Sequence, residues 1–304
     1  MKRGTLVFFC FLLGLNGGVV YAGEAPLKVV ATTTTFADLV KKVGRERVSV
    51  AAVAPARWNV HFVEPKPSDV RNAAGADLFV HAGLDLELWV DPLLEAAGKT
   101  ELFRGGPRNV DLSRGIELLK VPTMPVSRAQ GDIHLYGNPH YVMNPENAGI
   151  MAKTIEGKLA EADPAHAESY ARNLKEFLEE LDKRVGHWKR LCGHCRDREV
   201  ISYHDDVEYF VRFLGMRAEQ FVEPKPGIPP TPRHLEFLQG YMKEKAVKVI
   251  VMPTYYPREA AAALAARAGG KVLTLCQNAG EIRGTEDFFS FFEYNFHQIS
   301  EALK

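Results

Sequence analysis

Short runs that are apolar at nearly every position recur along this chain, and most are followed by stretches whose apolar residues fall at three- and four-residue spacing. A strand that is apolar on both faces must be covered on both, so the alternation predicts parallel sheets lying between helices. The first group has strands over residues 27–32, 48–53 and 78–81, with helices over 36–43, 68–74 and 86–97. Alternation resumes with strands over 200–203, 247–252 and 271–275 and helices over 207–214, 232–245, 258–268 and 286–303. Between the two groups, Asn144-Pro145-Glu146 opens one helix and Asp163-Pro164 opens another that runs to about residue 189. Along the latter, Tyr170, Leu174, Phe177, Leu178, Leu181 and Val185 form one stripe. About 25 helical residues span roughly 38 Å, the length of a lobe, which suits a rigid spine. The chain of 304 residues is long enough for two cores. The expected class is α/β, with two lobes, each a mainly parallel sheet flanked by helices, joined by a long rigid backbone helix. Expected bounds are 23–160 for the first lobe, 161–192 for the connecting helix and 193–304 for the second lobe.

Charge narrows the function. With 38 basic and 38 acidic side chains the formal net charge is zero, which excludes a polyanion binder working by bulk positive charge, so no nucleic-acid partner is expected. Residues 1–22 have the layout of a secretory signal: Lys2 and Arg3, an apolar run over 6–15, then small residues up to Ala22. Cleavage after Ala22 would leave a soluble exported protein. Cys10 lies inside the apolar run and leaves with it. In an oxidising compartment Cys192 and Cys195 would most simply form a local disulfide, the alternatives being a redox site or half of a zinc knuckle with His194 between them. Cys276 is then unpaired and buried.

Three histidines occupy equivalent places. His61 lies in a proline-rich loop after one strand, His140 lies in Gly137-Asn138-Pro139-His140-Tyr141 before a helix, and His204 directly follows the strand over 200–203. In open parallel sheets ligands bind outside the strand carboxyl ends, so imidazoles arriving there from separate segments can meet. Neutral imidazole suits zinc and other late first-row divalent ions. His81, His166, His187, His194, His234 and His297 show no such convergence and read as structural or solvent-facing. Trp58 and Tyr141 flank two of the three histidines and either shield the cleft or simply pack.

These residues carry a resemblance. Val60-His61-Phe62-Val63-Glu64-Pro65-Lys66-Pro67-Ser68-Asp69 is similar to the first-ligand loop of the solute-binding components of zinc and manganese ABC importers, the metal-binding cluster A-I family. The segment from Gly137 through His140 to Asn147 resembles that family's second-ligand segment. Tyr203-His204-Asp205, with Tyr209-Phe210 and Leu214-Gly215 after it, resembles the third, and Glu223-Pro224-Lys225-Pro226-Gly227 resembles the proline-rich stretch beyond. The resemblance runs from about Leu27 to the C-terminus. It implies two α/β lobes around one metal ion, with His61 and His140 from the first lobe and His204 from the second. It also implies a binding protein rather than an enzyme: a monomer that captures the ion in the periplasm and delivers it to an ABC-type permease with a cytoplasmic ATPase.

Departures from the family pattern bear on the metal. The family often has a carboxylate just before a glycine near the last strand, where this chain has Gln277; Glu281 and Asp205 are the other oxygen candidates for a fourth ligand. Asn144 stands where the family usually has aspartate. The loop over 121–134 contains only His134, expected either as an accessory or capture ligand or as a loop histidine bonded to backbone. Three nitrogens with one weak or open position favour zinc over manganese, which prefers oxygen-rich shells. The same pattern is that of catalytic zinc, so a secreted zinc-dependent hydrolase is the rival reading, and a binding protein for a metal chelate is a third.

Overall fold

In the computed structural model, which describes residues 25–124, 134–225 and 227–304, each apolar run becomes a strand. The expected signal and its cleavage point lie outside the described residues. Strand β1 (Leu27–Ala31) passes into α1 (Thr34–Gly44) where the Thr33 hydroxyl accepts from Phe36 N–H at 3.3 Å. This cap satisfies one of the helix's first free donors. Phe36, Leu39, Val40 and Val43 then face inward. The first lobe adds β2 (Val48–Ala52), α2 (Pro67–Ala74), β3 (Leu78–His81), α3 (Val90–Ala97) and β4 (Asn109–Asp111), in a parallel sheet of order β2-β1-β3-β4. The second lobe repeats that order. Its elements are β5 (Glu199–Ser202), α6 (Glu208–Phe213), β6 (Arg217–Phe221), α7 (Pro232–Glu244), β7 (Val249–Met252), α8 (Arg258–Ala268), β8 (Lys271–Thr274) and α9 (Phe288–Ala302), with β6-β5-β7-β8 all parallel. The second strand of each lobe lies on one side of the first and the third on the other. The crossovers therefore part at β1 and at β5, which opens a crevice at their carboxyl ends.

The sequence pattern did not reveal β4 and β6. Both are edge strands, where one flank is uncovered and a long apolar run is not required. β4 has three residues, and β6 exposes Arg217 and Glu219.

Between the lobes run α4 (Asn147–Ala162) and the 25-residue α5 (Ala167–Leu191). The buried stripe of α5 includes Tyr170, Phe177, Leu181, Val185 and Trp188. Trp188 stacks on Phe296 of α9 at 5.0 Å and lies 5.6 Å from Phe292, while Phe210 of the second lobe stacks on Phe296 at 5.1 Å. One hydrophobic core thus passes from the first sheet through α5 and α9 to one face of the second. A smaller core under α7 and α8 covers the opposite face. The connecting helix does not bridge two separate cores; it is part of one. Polar ties reinforce the junction: Phe288 N–H donates to Asp38 at 2.8 Å, and the Thr34 hydroxyl donates to the Ala279 carbonyl at 2.6 Å. Among the described residues no helix is long and apolar enough to cross a membrane.

The expected disulfide is corrected: Cys192 and Cys195 are free, buried thiols. They flank a single 3-10 turn after α5, in which Cys195 N–H donates to the Cys192 carbonyl at 2.9 Å. Each sulfur has a polar neighbour without an S–S bond. Cys192 Sγ lies 3.5 Å from the Phe296 carbonyl oxygen, and Cys195 Sγ lies 3.7 Å from His194 Nε2. The neighbouring Cys192 thiol holds Cys195 down to about 7, while the same pairing pushes Cys192 up. Cys276 is free and buried as expected.

At the crevice end of the first sheet, Glu87 joins β1 to β3. Its carboxylate accepts from the Thr32 hydroxyl at 2.6 Å and from Ala82 N–H at 3.1 Å, and it has no exposed surface. Burial raises its pKa from 4.5 to about 7, against the lowering effect of those hydrogen bonds. The folded chain therefore holds a proton that the unfolded chain has released. Glu87 contributes most below its unfolded value, and the contribution is lost as pH rises through about 7. Measured by urea unfolding, the Glu87→Gln variant should gain on the parent by up to about 3 kcal/mol between pH 5 and pH 8, at about 1.4 kcal/mol per pKa unit. A stability difference that does not change with pH would overturn this account.

Candidate metal centre

Each of the three expected histidines is aimed by its own loop. His61 sits in a 3-10 turn after β2, where its N–H donates to the Asn59 side chain at 3.0 Å, and Trp89 Nε1 donates to the preceding Val60 carbonyl at 2.7 Å. His140 follows a turn at Gly137, whose φ of 119° favours glycine and where a Cβ would lie 3.0 Å from the Leu119 carbonyl oxygen. Next, Asn138 uses both ends of its amide. It accepts from His140 N–H at 2.9 Å and donates at 2.8 Å to the carbonyl of Asp205, the residue after His204. One asparagine thus sets the spacing between two candidate ligands from opposite lobes. His204 follows β5 directly, and its Nδ1 is bonded to Glu223 at 3.0 Å.

The structure brings His61, His140 and His204 together and adds His134. One nitrogen from each lies within 4.8 Å of the other three, and among the described residues this group contains no carboxylate. Ring centroids of His61 are 5.2 Å from His134, 5.1 Å from His140 and 5.6 Å from His204. His140 lies 5.7 Å from His134 and 5.5 Å from His204. Imidazoles bonded to one zinc ion at about 2.0–2.1 Å have centroids about 3.2 Å from it, hence about 5.2 Å apart around a tetrahedron. These five of the six ring pairs stand at almost that separation. Moreover, Nε2 of His134, His140 and His204 is buried without a hydrogen-bond partner. Leaving such an atom unpaired costs about 1–3 kcal/mol, so this donor set fits a cation at its centre.

The electrostatics keep the donors ready. Burial, then the facing imidazoles, hold the pKa of His61 and His140 well below the usual imidazole value, so both are neutral. Burial also lowers His204, but the Glu223 hydrogen bond and the charges of Asp206 and Asp205 outweigh it and raise its pKa overall. Asp85 bonds His134 Nδ1 at 3.1 Å through one oxygen and accepts from Leu135 N–H at 2.8 Å through the other. Carboxylates behind metal-facing imidazoles fix the ring and its tautomer.

The oxygen candidates are placed differently. Glu281 is fully buried, with four donors on its carboxylate: Thr254 N–H and hydroxyl, Gln277 N–H and Asn278 N–H. Asp205 is paired with Lys120 at 2.7 Å. Neither belongs to the four-histidine group. Gln277 is buried, and its Nε2 has no hydrogen-bond partner. Tyr141 is packing: it is fully buried and donates to the Ala82 carbonyl at 2.6 Å, whereas Trp58 is exposed. Sequence reasoning missed Asp85 and Glu223 as orienting groups and Asn138 as the spacer. Asp85 carries no local signal, because it reaches its histidine across 49 residues; Glu223 opens the proline-rich motif, but its pairing with His204, 19 residues away, depends on the packing of the loop beyond β6.

A sequence model of the family described as "ZnuA: Zinc-uptake complex component A periplasmic" matches residues 29–302. The chain is 25% identical to the manganese ABC transporter substrate-binding lipoprotein PsaA of Streptococcus anginosus, over 99% of both chains. It is also 25% identical to the high-affinity zinc uptake system protein ZnuA of Bacillus subtilis, over 97% of this chain and 95% of that one. Among solved structures, a crystal structure of ZnuA shares the fold with a TM-score of 0.77 at 23% identity, covering 92% of this chain and 100% of its own. The chain therefore belongs to the ZnuA family, the solute-binding proteins of metal ABC transporters.

Proposed function

We propose that this solute-binding protein captures zinc in the periplasm on His61, His134, His140 and His204 and delivers it to a membrane permease driven by a cytoplasmic ATPase. The observation that carries the choice of metal is the meeting of four ring nitrogens with no carboxylate among them. Relatives are named for manganese and for zinc, so family membership leaves the metal open. An all-nitrogen tetrahedral set suits zinc, whereas manganese prefers oxygen ligands and a larger coordination number. Four nitrogens also argue against a hydrolase, because catalytic zinc keeps a position open for water. They leave little room for a chelated ion.

Delivery follows from which lobe supplies each donor. His61 comes from the loop after β2, and His134 and His140 precede α4, but His204 follows β5 of the second lobe. A small movement of one lobe against the other removes one ligand from the shell. Several bonds oppose that movement in the free protein. Lys120 pairs with Asp205 and Glu208 at 2.7 and 2.8 Å, and Leu119 N–H donates to the Tyr209 hydroxyl at 3.0 Å. Opening is thus reserved for contact with the permease.

In equilibrium dialysis against equal zinc and manganese, with metal counted by mass spectrometry, the purified protein should retain zinc; retention of manganese would sink the assignment. His134→Ala and His204→Ala should each abolish stable retention, and an unchanged affinity in His134→Ala would reduce the shell to three histidines. Asp85→Asn and Glu223→Gln leave the ligands in place and should weaken zinc binding by about 10–100-fold. Because the ring nitrogens bind only when deprotonated, zinc affinity should fall as pH drops, beginning above the ordinary imidazole value of about 6.5, where His204 takes up its proton. With the pKa of His204 raised and those of His61 and His140 lowered, His204 is the first to take up a competing proton. Calorimetry in buffers of different ionisation enthalpy should therefore report proton release on zinc binding that grows as pH falls, and no proton release at any pH would contradict it.

A further inference from the structure

On the face where α5 crosses α9, a second group of donors meets outside the cleft. Glu293 and His297 are one turn apart on α9, and Glu293 Oε1 lies 3.1 Å from His297 Nε2. From α5, His187 Nε2 comes within 3.5 Å of the same oxygen. The three donor atoms all lie within 4.8 Å of one another, and neither helix supplies a residue to the cleft group. The other carboxylate oxygen is held from behind. Trp188 Nε1 donates to Glu293 Oε2 at 2.9 Å, and Arg184 lies 3.6 Å from it. A buried indole thus orients the carboxylate so that Oε1 faces outward between two imidazoles, the outer-shell arrangement that metal-binding carboxylates use.

We infer that His187, Glu293 and His297 form a second, solvent-facing site for a zinc-class divalent cation, with two nitrogens, one oxygen and the remaining positions filled by water. Two imidazoles and one carboxylate suit zinc, nickel or copper and not magnesium or calcium, which need oxygen. The charge balance is favourable. Arg184 would repel a cation, but it is paired with Glu180 at 2.6 Å, so with neutral histidines the two carboxylates and one guanidinium leave one net negative charge. The site is half open, with His187 49% and His297 53% exposed. Its affinity is accordingly far below that of an enclosed four-nitrogen shell. An ion here would tie the connecting helix to the last helix, over the contacts of Trp188 with Phe292 and Phe296.

The inference is independent of which metal fills the cleft, and the test separates the two sites. Tag-free protein is loaded with one equivalent of zinc and titrated with more zinc in a calorimeter at pH 7.5. A second, weaker equivalent is expected. The double variant His187→Ala/His297→Ala should lose only this weaker equivalent, with its circular dichroism unchanged and the first equivalent kept. In His61→Ala/His204→Ala the weaker equivalent should persist after tight binding is gone. Cobalt added to the zinc-loaded parent should give visible d–d absorption that the His187→Ala/His297→Ala variant lacks. A single equivalent in the parent, or a second one that survives in His187→Ala/His297→Ala, would overturn the site.

Discussion

Trp188, stacked on Phe296 and tilted against Phe292, makes α5 and α9 into one wall, and the hydrophobic core that joins the two lobes runs along it. Each buried aromatic removes about 150–250 Å² from water, worth roughly 4–6 kcal/mol at about 25 cal/mol per Å². The three unpartnered Nε2 atoms in the cleft cost about 1–3 kcal/mol each. A wall of this strength can hold the donors facing one another without an ion between them. Ties from α1 to the segment before α9 bring the first lobe onto the same support, through Asp38, Thr34 and Thr35. The loops after β2 and β5 therefore meet across the crevice at a separation the core sets, and the imidazole rings stand close to tetrahedral spacing.

Around the cleft, buried carboxylates are shared out by task. Glu223 and Asp85 each hold a histidine from behind, while Glu281 gathers four donors and fixes the loop after β8. Glu87 does the same at the ends of β1 and β3. Burying a carboxylate is costly unless its oxygens are filled by donors or by a charged partner. A carboxylate already bound to several backbone and hydroxyl donors has little left to offer a metal. This explains why an acid so near the crevice in sequence as Glu281 is structural, and why the donors that converge are nitrogens.

Much of the architecture was legible because its signals are local. The strands over 27–32 and 247–252 are apolar on both faces, and α5 shows its buried stripe from Tyr170 to Val185 in plain periodicity. His61, His140 and His204 stood out because each follows a strand or a proline-marked loop within a recognisable motif. His134 did not, since nothing in its own surroundings separates a loop histidine bonded to backbone from one whose ring meets three others. The disulfide expectation failed for a related reason. Spacing allows Cys192 and Cys195 to bond, but in the fold they are two thiols that hydrogen-bond each other, each with a further polar neighbour.

Sequence alone determined the element types and their alternation, apart from the edge strands β4 and β6, and the identity of three of the four facing histidines, since these depend on periodicity, caps and short motifs. Tertiary structure decided the fourth histidine, the carboxylates behind two of the rings, the single core joining the lobes and the His187, Glu293 and His297 group between α5 and α9. All of these arise between residues far apart in the chain. Their contact depends on how helices and sheets pack, and no local pattern of side chains records that.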